Sequence, residues 1–146
     1  MRPIEVRLVG RFRFSSRIQG QHEHLLYKGT HTQTSESLFL KGEEYKVRPN
    51  DQLLTILQEG KILQIMQGGS GIPHMHWCGQ EEDYNFIVLE ELDRSLDELQ
   101  HKCAGKFTKK TALMLGQEVI AILQYFHFKN FIHNQLKPAN FMLGPG

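Results

Sequence analysis

The chain has 146 residues, of which 40% are hydrophobic and 23% charged, and its formal net charge is +1 at neutral pH. These values are typical of a soluble globular protein that is large enough for one domain and short for two. The small net charge provides no long-range field for nucleic acid or a membrane surface, so we expect neither as a partner. With two cysteines and no cleavable leader at Met1, the sequence predicts a cytoplasmic and/or nuclear location.

Alternation of apolar and polar residues predicts strands in the first part of the chain. Ile4, Val6 and Leu8 alternate with charged residues, and so do Phe12 and Phe14. Four further strands are predicted over 25–27, 37–41, 74–78 and 86–90, with turn signals at Gly29, Gly42, Pro73 and Gly79. We expect a twisted antiparallel sheet of five strands, with residues 4–8 extending the first.

One helix is predicted between the third and fourth of these strands. Residues 49–51, Pro-Asn-Asp, are a start signal, and Gly68-Gly69 is a stop signal. Gly60 is a weak point inside this helix, because glycine costs about 1 kcal/mol relative to alanine there.

Two more helices are predicted in the second part of the chain. Ser95 and Glu98 have the spacing of a capping box, which predicts a short helix to about Cys103. A longer helix is predicted over 108–128 and ends at Asn130. It is apolar around most of its circumference, so it must be buried or find another partner. We therefore expect a surface that self-associates through helix 108–128.

The run His133-Asn134-Gln135-Leu136-Lys137-Pro138-Ala139-Asn140-Phe141 resembles the catalytic loop of protein kinases, H-R-D-x-K-P-x-N-F. Two long runs, 62–73 and 77–85, and shorter ones at 95–99, 106–108 and 129–133, are similar to the casein kinase I family. The resemblance implies a kinase-like α+β fold. Its N-lobe, a five-stranded antiparallel sheet with one helix, would occupy 1–92. Residues 93–146 would hold the first helices and the catalytic loop of a C-lobe truncated after that loop.

The same register implies a vestigial nucleotide site. Lys41 falls at the lysine of V-A-I-K, which holds the nucleotide's phosphates in kinases, and Glu59 falls at the helix glutamate that pairs with it. Leu89 to Leu92 match the segment between the lobes, which binds adenine through its backbone. The resemblance thus implies nucleotide contacts by Lys41, Glu59, Leu89 and Leu92.

The catalytic apparatus that the resemblance implies is incomplete. Gln135 stands at the position of the catalytic aspartate, and a neutral amide cannot serve as a general base. Lys137 and Asn140 match the lysine on the transferred phosphate and the magnesium-binding asparagine. Residues 19–24, Gln-Gly-Gln-His-Glu-His, replace the glycine-rich turn, and no D-F-G precedes Gly146. No cofactor is assigned with certainty, and ATP and magnesium are expected to bind weakly.

Three functions are consistent with these residues. The first is a kinase-like module without catalysis that binds proteins, including partners of active casein kinase I. The second is residual ATP-dependent serine/threonine kinase activity with a displaced acid such as Asp93 or Asp97. The third is a truncated product without a function of its own. The sequence favours a function without catalysis, and the choice between the first and the third depends on whether the apolar helix 108–128 finds cover.

His74, His76 and Cys78 alternate along a predicted strand and would share one face as three zinc ligands. The same stretch matches the casein kinase I family, and a fourth ligand would have to come from elsewhere. We therefore expect the stretch 74–78 to be an ordinary strand of the sheet and not a zinc site.

Overall fold

The computed structural model describes residues 6–18, 25–44 and 56–144. The predicted helix start at 49–51 and the segment 19–24 in place of the glycine-rich turn lie outside the described residues. Within the described ranges there are six strands and three α-helices. Their order is β1 (Val6–Leu8), β2 (Phe12–Arg17), β3 (Leu25–His31), β4 (Ser37–Glu44), α1 (Ile56–Met66), β5 (Met75–Glu81), β6 (Tyr84–Glu90), α2 (Leu96–Lys102) and α3 (Lys109–Phe128). The fold is α+β, as predicted.

The chain divides into two compact units. The sheet unit comprises residues 1–67 and 73–91, and the helical unit comprises residues 68–72 and 92–146. The sheet unit therefore contains every described strand together with α1, whereas α2 and α3 belong to the helical unit.

All strand pairs of the sheet are antiparallel, and the spatial order is β1-β2-β3-β4-β6-β5. The five predicted strands are β2 to β6, and β1 adds a sixth at the edge. It is a separate strand because the chain reverses after Leu8: Val9 and Gly10 both have positive φ, and the Arg11 N–H donates to the Leu8 carbonyl.

The core of the sheet unit collects apolar side chains from strands that are distant in sequence. Leu38 and Leu40 of β4 and Val88 of β6 are buried together with Phe12 and Phe14 of β2. Each such side chain contributes about 1.5–3 kcal/mol when it is withdrawn from water. This cluster connects β2, β4 and β6 across one face of the sheet.

Three glycines predicted as turns lie inside strands instead, so that prediction is wrong for Gly29, Gly42 and Gly79. A Cβ at any of them would collide with an aromatic ring, that of Phe14, Phe86 or Trp77 respectively. Glycine marks close packing of a ring over the strand at these positions rather than a reversal of the chain.

The caps of α2 and α3 agree with the sequence signals. The Glu98 N–H donates to Ser95 Oγ at 3.2 Å, and the Ser95 N–H donates to Glu98 Oε2 at 3.1 Å, so the predicted capping box is confirmed. Thr108 caps α3 by accepting from the Thr111 N–H at 3.1 Å. Asn130 ends α3 in the left-handed region, with φ of 62°.

One side of α3 packs within the helical unit, and the opposite side faces solvent. Gly69 lies against the Tyr125 ring, and Gly71 lies against Ile122. None of the residues of α3 is buried, and Ile120 and Phe128 are 69% and 80% exposed. The sequence predicted that an apolar helix must be buried or find another partner, and these side chains of α3 are not buried. No helix of the described ranges is long and apolar enough to cross a membrane.

Candidate functional site

The sheet unit joins the two residues that the sequence assigned to an ion pair. Lys41 lies on β4 and Glu59 on α1, and Lys41 Nζ donates to Glu59 Oε2 at 2.6 Å. A charge-assisted hydrogen bond of this length is stronger than a neutral one. Because both side chains remain partly exposed, the pair contributes about 1 kcal/mol at most. The geometry is that of the assigned pair, and its role toward a nucleotide stays a prediction.

A second contact fixes α1 to β4, and the sequence analysis missed it. Glu43 Oε1 accepts from the N–H of Ile56, the first described residue of α1, at 2.8 Å. The same oxygen accepts from Nδ2 of the buried Asn85 at 3.1 Å. Glu43 follows Lys41 by two residues, so both lie on one face of the strand. The two-residue spacing of Lys41 and Glu43 on a predicted strand was the sequence signal that could have identified this contact.

Gly60 allows α1 to approach β5 closely. It is buried, and a Cβ there would collide with Cys78 Sγ. The residue predicted as a weak point is thus required where the helix packs on the sheet. Burial raises the pKa of the Cys78 thiol, and the Glu59 carboxylate raises it further. A protonated thiol is a poor nucleophile and metal ligand, so Cys78 acts as a packing group.

The two leucines assigned to adenine contacts lie in different units. Leu89 belongs to the sheet unit, is buried on β6, and is opposite Phe39 of β4 in the strand register. Since Phe39 and Lys41 are two residues apart, Leu89 shares their face of the sheet. Leu92 is buried and belongs to the helical unit.

The loop 133–141 is held by its own hydrogen bonds in the helical unit. Asn140 Nδ2 donates to the Gln135 carbonyl at 2.8 Å, and the Asn140 N–H donates to the Lys137 carbonyl at 2.9 Å. Asn134 has φ of 63°, a conformation that asparagine tolerates better than most residues. These contacts bring Gln135, Lys137 and Asn140 into one loop.

Aromatic stacking and a strand-like bridge anchor this loop. The His133 ring stacks on Phe141 with a centroid distance of 5.7 Å and lies 5.4 Å from the Phe126 ring of α3. The Leu96 N–H donates to the Phe141 carbonyl at 2.8 Å, and Ser95 forms a bridge with Met142. The start of α2 and the body of α3 therefore fix the loop from two sides.

The exposed side chain at the centre of the loop is an amide. Gln135 has neither a charge nor useful proton affinity, so it can position a hydroxyl but cannot take its proton. The exposed Lys137 ammonium provides a positive charge two residues away. The arrangement can attract an anion, and it has no general base at this position.

The described residues fit a magnesium site poorly. Asn140 brings one amide oxygen to the loop, whereas magnesium usually needs carboxylates together with phosphate oxygens. Within the ranges that the structure describes, no group of three or more His, Cys, Asp or Glu residues could hold a metal ion.

The zinc alternative is also unsupported, because Cys78 and His76 do not share a face. A β-bulge between Met75 and Trp77 breaks the alternation of β5. Cys78 therefore packs on Gly60, whereas His76 lies 3.8 Å from Glu36.

Comparison with known families agrees with this arrangement. The family model described as the protein kinase domain matches residues 20–145. The match includes the Lys41–Glu59 pair and the whole loop 133–141. It covers most of the chain, and the chain therefore belongs to the protein kinase domain family.

Proposed function

We propose that this chain is a casein kinase I-like kinase domain that acts by binding proteins and not by phosphoryl transfer. The observation that carries the proposal is Gln135 in a loop whose backbone is otherwise well formed. Loss of a general base alone costs roughly 10²- to 10⁴-fold in rate. The kinase-like fold can thus persist without catalysis of phosphoryl transfer.

Protein binding is supported by the solvent-facing side of α3. Leu113 and Ile120 are seven residues apart and therefore lie on the same side of the helix, with Phe128 beyond them. Ile132, just after the helix, is 82% exposed. Several exposed apolar side chains on one side of a helix are typical of a site that is covered by another protein. Partners of an active casein kinase I are the class that we propose.

A second candidate function, residual nucleotide binding with or without weak kinase activity, is favoured by the Lys41–Glu59 pair. In kinases the lysine of this pair holds the phosphates and the glutamate holds the lysine, and the short hydrogen bond between Lys41 and Glu59 supports the same role here.

The test measures transfer of radiolabelled phosphate from ATP to an acidic or phosphoprimed serine peptide, with Lys41→Met as the matched variant. We expect the wild type and the variant to give the same background. Transfer by the wild type that Lys41→Met abolishes would overturn the proposal. The same two proteins, melted with and without ATP and magnesium, test the second candidate. A rise in melting temperature with ATP that only the wild type shows would support it.

A further inference from the structure

Five ionisable side chains from several elements meet at one end of the sheet. His31 ends β3, Glu36 lies in the turn before β4, His74 and His76 lie at the start of β5, and Glu90 ends β6. The rings of His74 and His76 are 4.7 Å apart, edge to face. The cluster adjoins the apolar core, because the His31 ring contacts the Phe12 ring edge-on at 5.4 Å.

His76 carries the unusual atom of this cluster. Its Nε2 is buried, and no hydrogen bond reaches it in the described part of the chain. The nearest carboxylate oxygen that the structure pairs with it is Glu36 Oε1, at 3.8 Å. That separation is too long for a hydrogen bond and short enough for an ion pair. A movement of about 1 Å by the half-exposed Glu36 side chain would close the bond.

Two other members of the cluster, Glu90 and His31, already accept hydrogen bonds. Glu90 Oε1 accepts from the His74 N–H at 3.0 Å. His31 Nδ1 accepts from the N–H groups of Gln33 and Thr34 at 3.2 and 3.3 Å, so the turn requires this nitrogen to be unprotonated. Glu36 is the carboxylate whose oxygen lies within ion-pair distance of His76 Nε2.

We propose that His76 and Glu36 form a proton-operated clasp between the β3–β4 turn and β5. A proton taken from solvent onto His76 Nε2 turns an unpartnered nitrogen into a cationic donor. This donor then bonds to the Glu36 carboxylate and fastens the turn to the strand. In the neutral state the clasp is open, and Glu36 remains in solvent.

The surroundings set the direction of the pH dependence. Burial lowers the pKa of His76 below its ordinary value of 6.5. The carboxylates of Glu36 and Glu90 raise this pKa, and the neighbouring His74 and His31 lower it. Since the folded pKa is below the unfolded one, the folded chain binds fewer protons. Stability is therefore full above about pH 6.5 and falls as the pH drops toward the folded pKa. Glu36 limits that loss, because it stabilises the charged form.

A double-mutant cycle at two pH values tests the clasp on the full chain. Unfolding by urea is measured for the wild type, Glu36→Gln, His76→Gln and the double variant, at about pH 8 and at about one pH unit below the His76 pKa that the NMR titration described next measures in the folded chain. We expect no coupling at the higher pH. At the lower pH we expect Glu36→Gln to raise the unfolding equilibrium constant roughly two- to fivefold, and only when His76 is present.

An NMR titration of the His76 ring gives an independent reading. Glu36→Gln should lower its pKa further, whereas Glu82→Gln, a charge removal at an exposed position just beyond the far end of β5, should leave it unchanged. Equal coupling at both pH values, or a His76 pKa that does not respond to Glu36→Gln, would overturn the proposal.

Discussion

The two cysteines of the chain have different surroundings. Cys78 is partly buried against Gly60, and burial raises the pKa of its thiol. Cys103 is exposed at the end of α2. The attacking species in alkylation is the thiolate, and it must also be reachable.

We predict that iodoacetamide modifies Cys103 rapidly and Cys78 at least on the order of tenfold more slowly in the native chain. Mass spectrometry of digests taken over time measures both rates in one sample. In denaturant the two rates should converge. Equal native rates would mean that α1 does not shield Cys78.

The site residues that the sequence identified have contacts within one short segment. The residues that it missed have contacts with distant parts of the chain. Gln135, Lys137 and Asn140 were found together because one continuous motif contains them. Glu43 and Asn85 were missed because their hydrogen bond joins positions 42 residues apart. A contact of that range depends on strand register, which alternation alone does not define.

At the scale of elements, local signals predicted the helix ends well. The caps at Ser95, Thr108 and Asn130 each depend on groups within a few residues, so the sequence contains the whole signal. Glycines were harder to interpret. Glycine is needed at Gly42 of β4 because the Phe86 ring packs against it, and at Gly60 of α1 because Cys78 does. Both contacts come from other elements, so no local signal reveals them.

The glycines of α1 and α3 provide a matched pair of substitutions. Gly60→Ala should destabilise the chain by about 1–3 kcal/mol, because its Cβ collides with Cys78 Sγ. Gly116→Ala should stabilise it by about 0.5–1 kcal/mol, because a Cβ there meets nothing within 4 Å and alanine favours the helix. Urea unfolding of both variants measures the difference. Stabilisation by both would contradict the packing of α1 on β5.

At the scale of the whole molecule, the exposed side of α3 dominates the expected behaviour in solution. Leu113, Met114 and Ile120 are each more than half exposed, and water around such side chains favours association. The sequence predicted an apolar helix of this length. The side of the helix that would remain uncovered depends on the packing of Tyr125 and Ile122, which only the fold shows.

We predict that the wild type forms assemblies larger than a monomer and binds a hydrophobic dye. The double variant Leu113→Gln and Ile120→Gln should shift the mass toward the monomer and lower the dye fluorescence. Ala112→Gln, which adds an amide at another exposed position of α3 without removing a large apolar group, is the control. Light scattering at several concentrations measures the mass. A monomeric wild type without dye binding would contradict the proposed surface.

The strand order has a consequence for how the sheet assembles. β3 with β4, and β5 with β6, are hairpins that close over short stretches of chain. The pairing of β4 with β6 joins these hairpins, and its register sets Lys41 opposite Ile87, so it must bring together segments more than 40 residues apart. Closing so long a loop costs entropy before burial repays it. The pairing of β4 with β6 is therefore expected to form late, after the hairpins on either side of it.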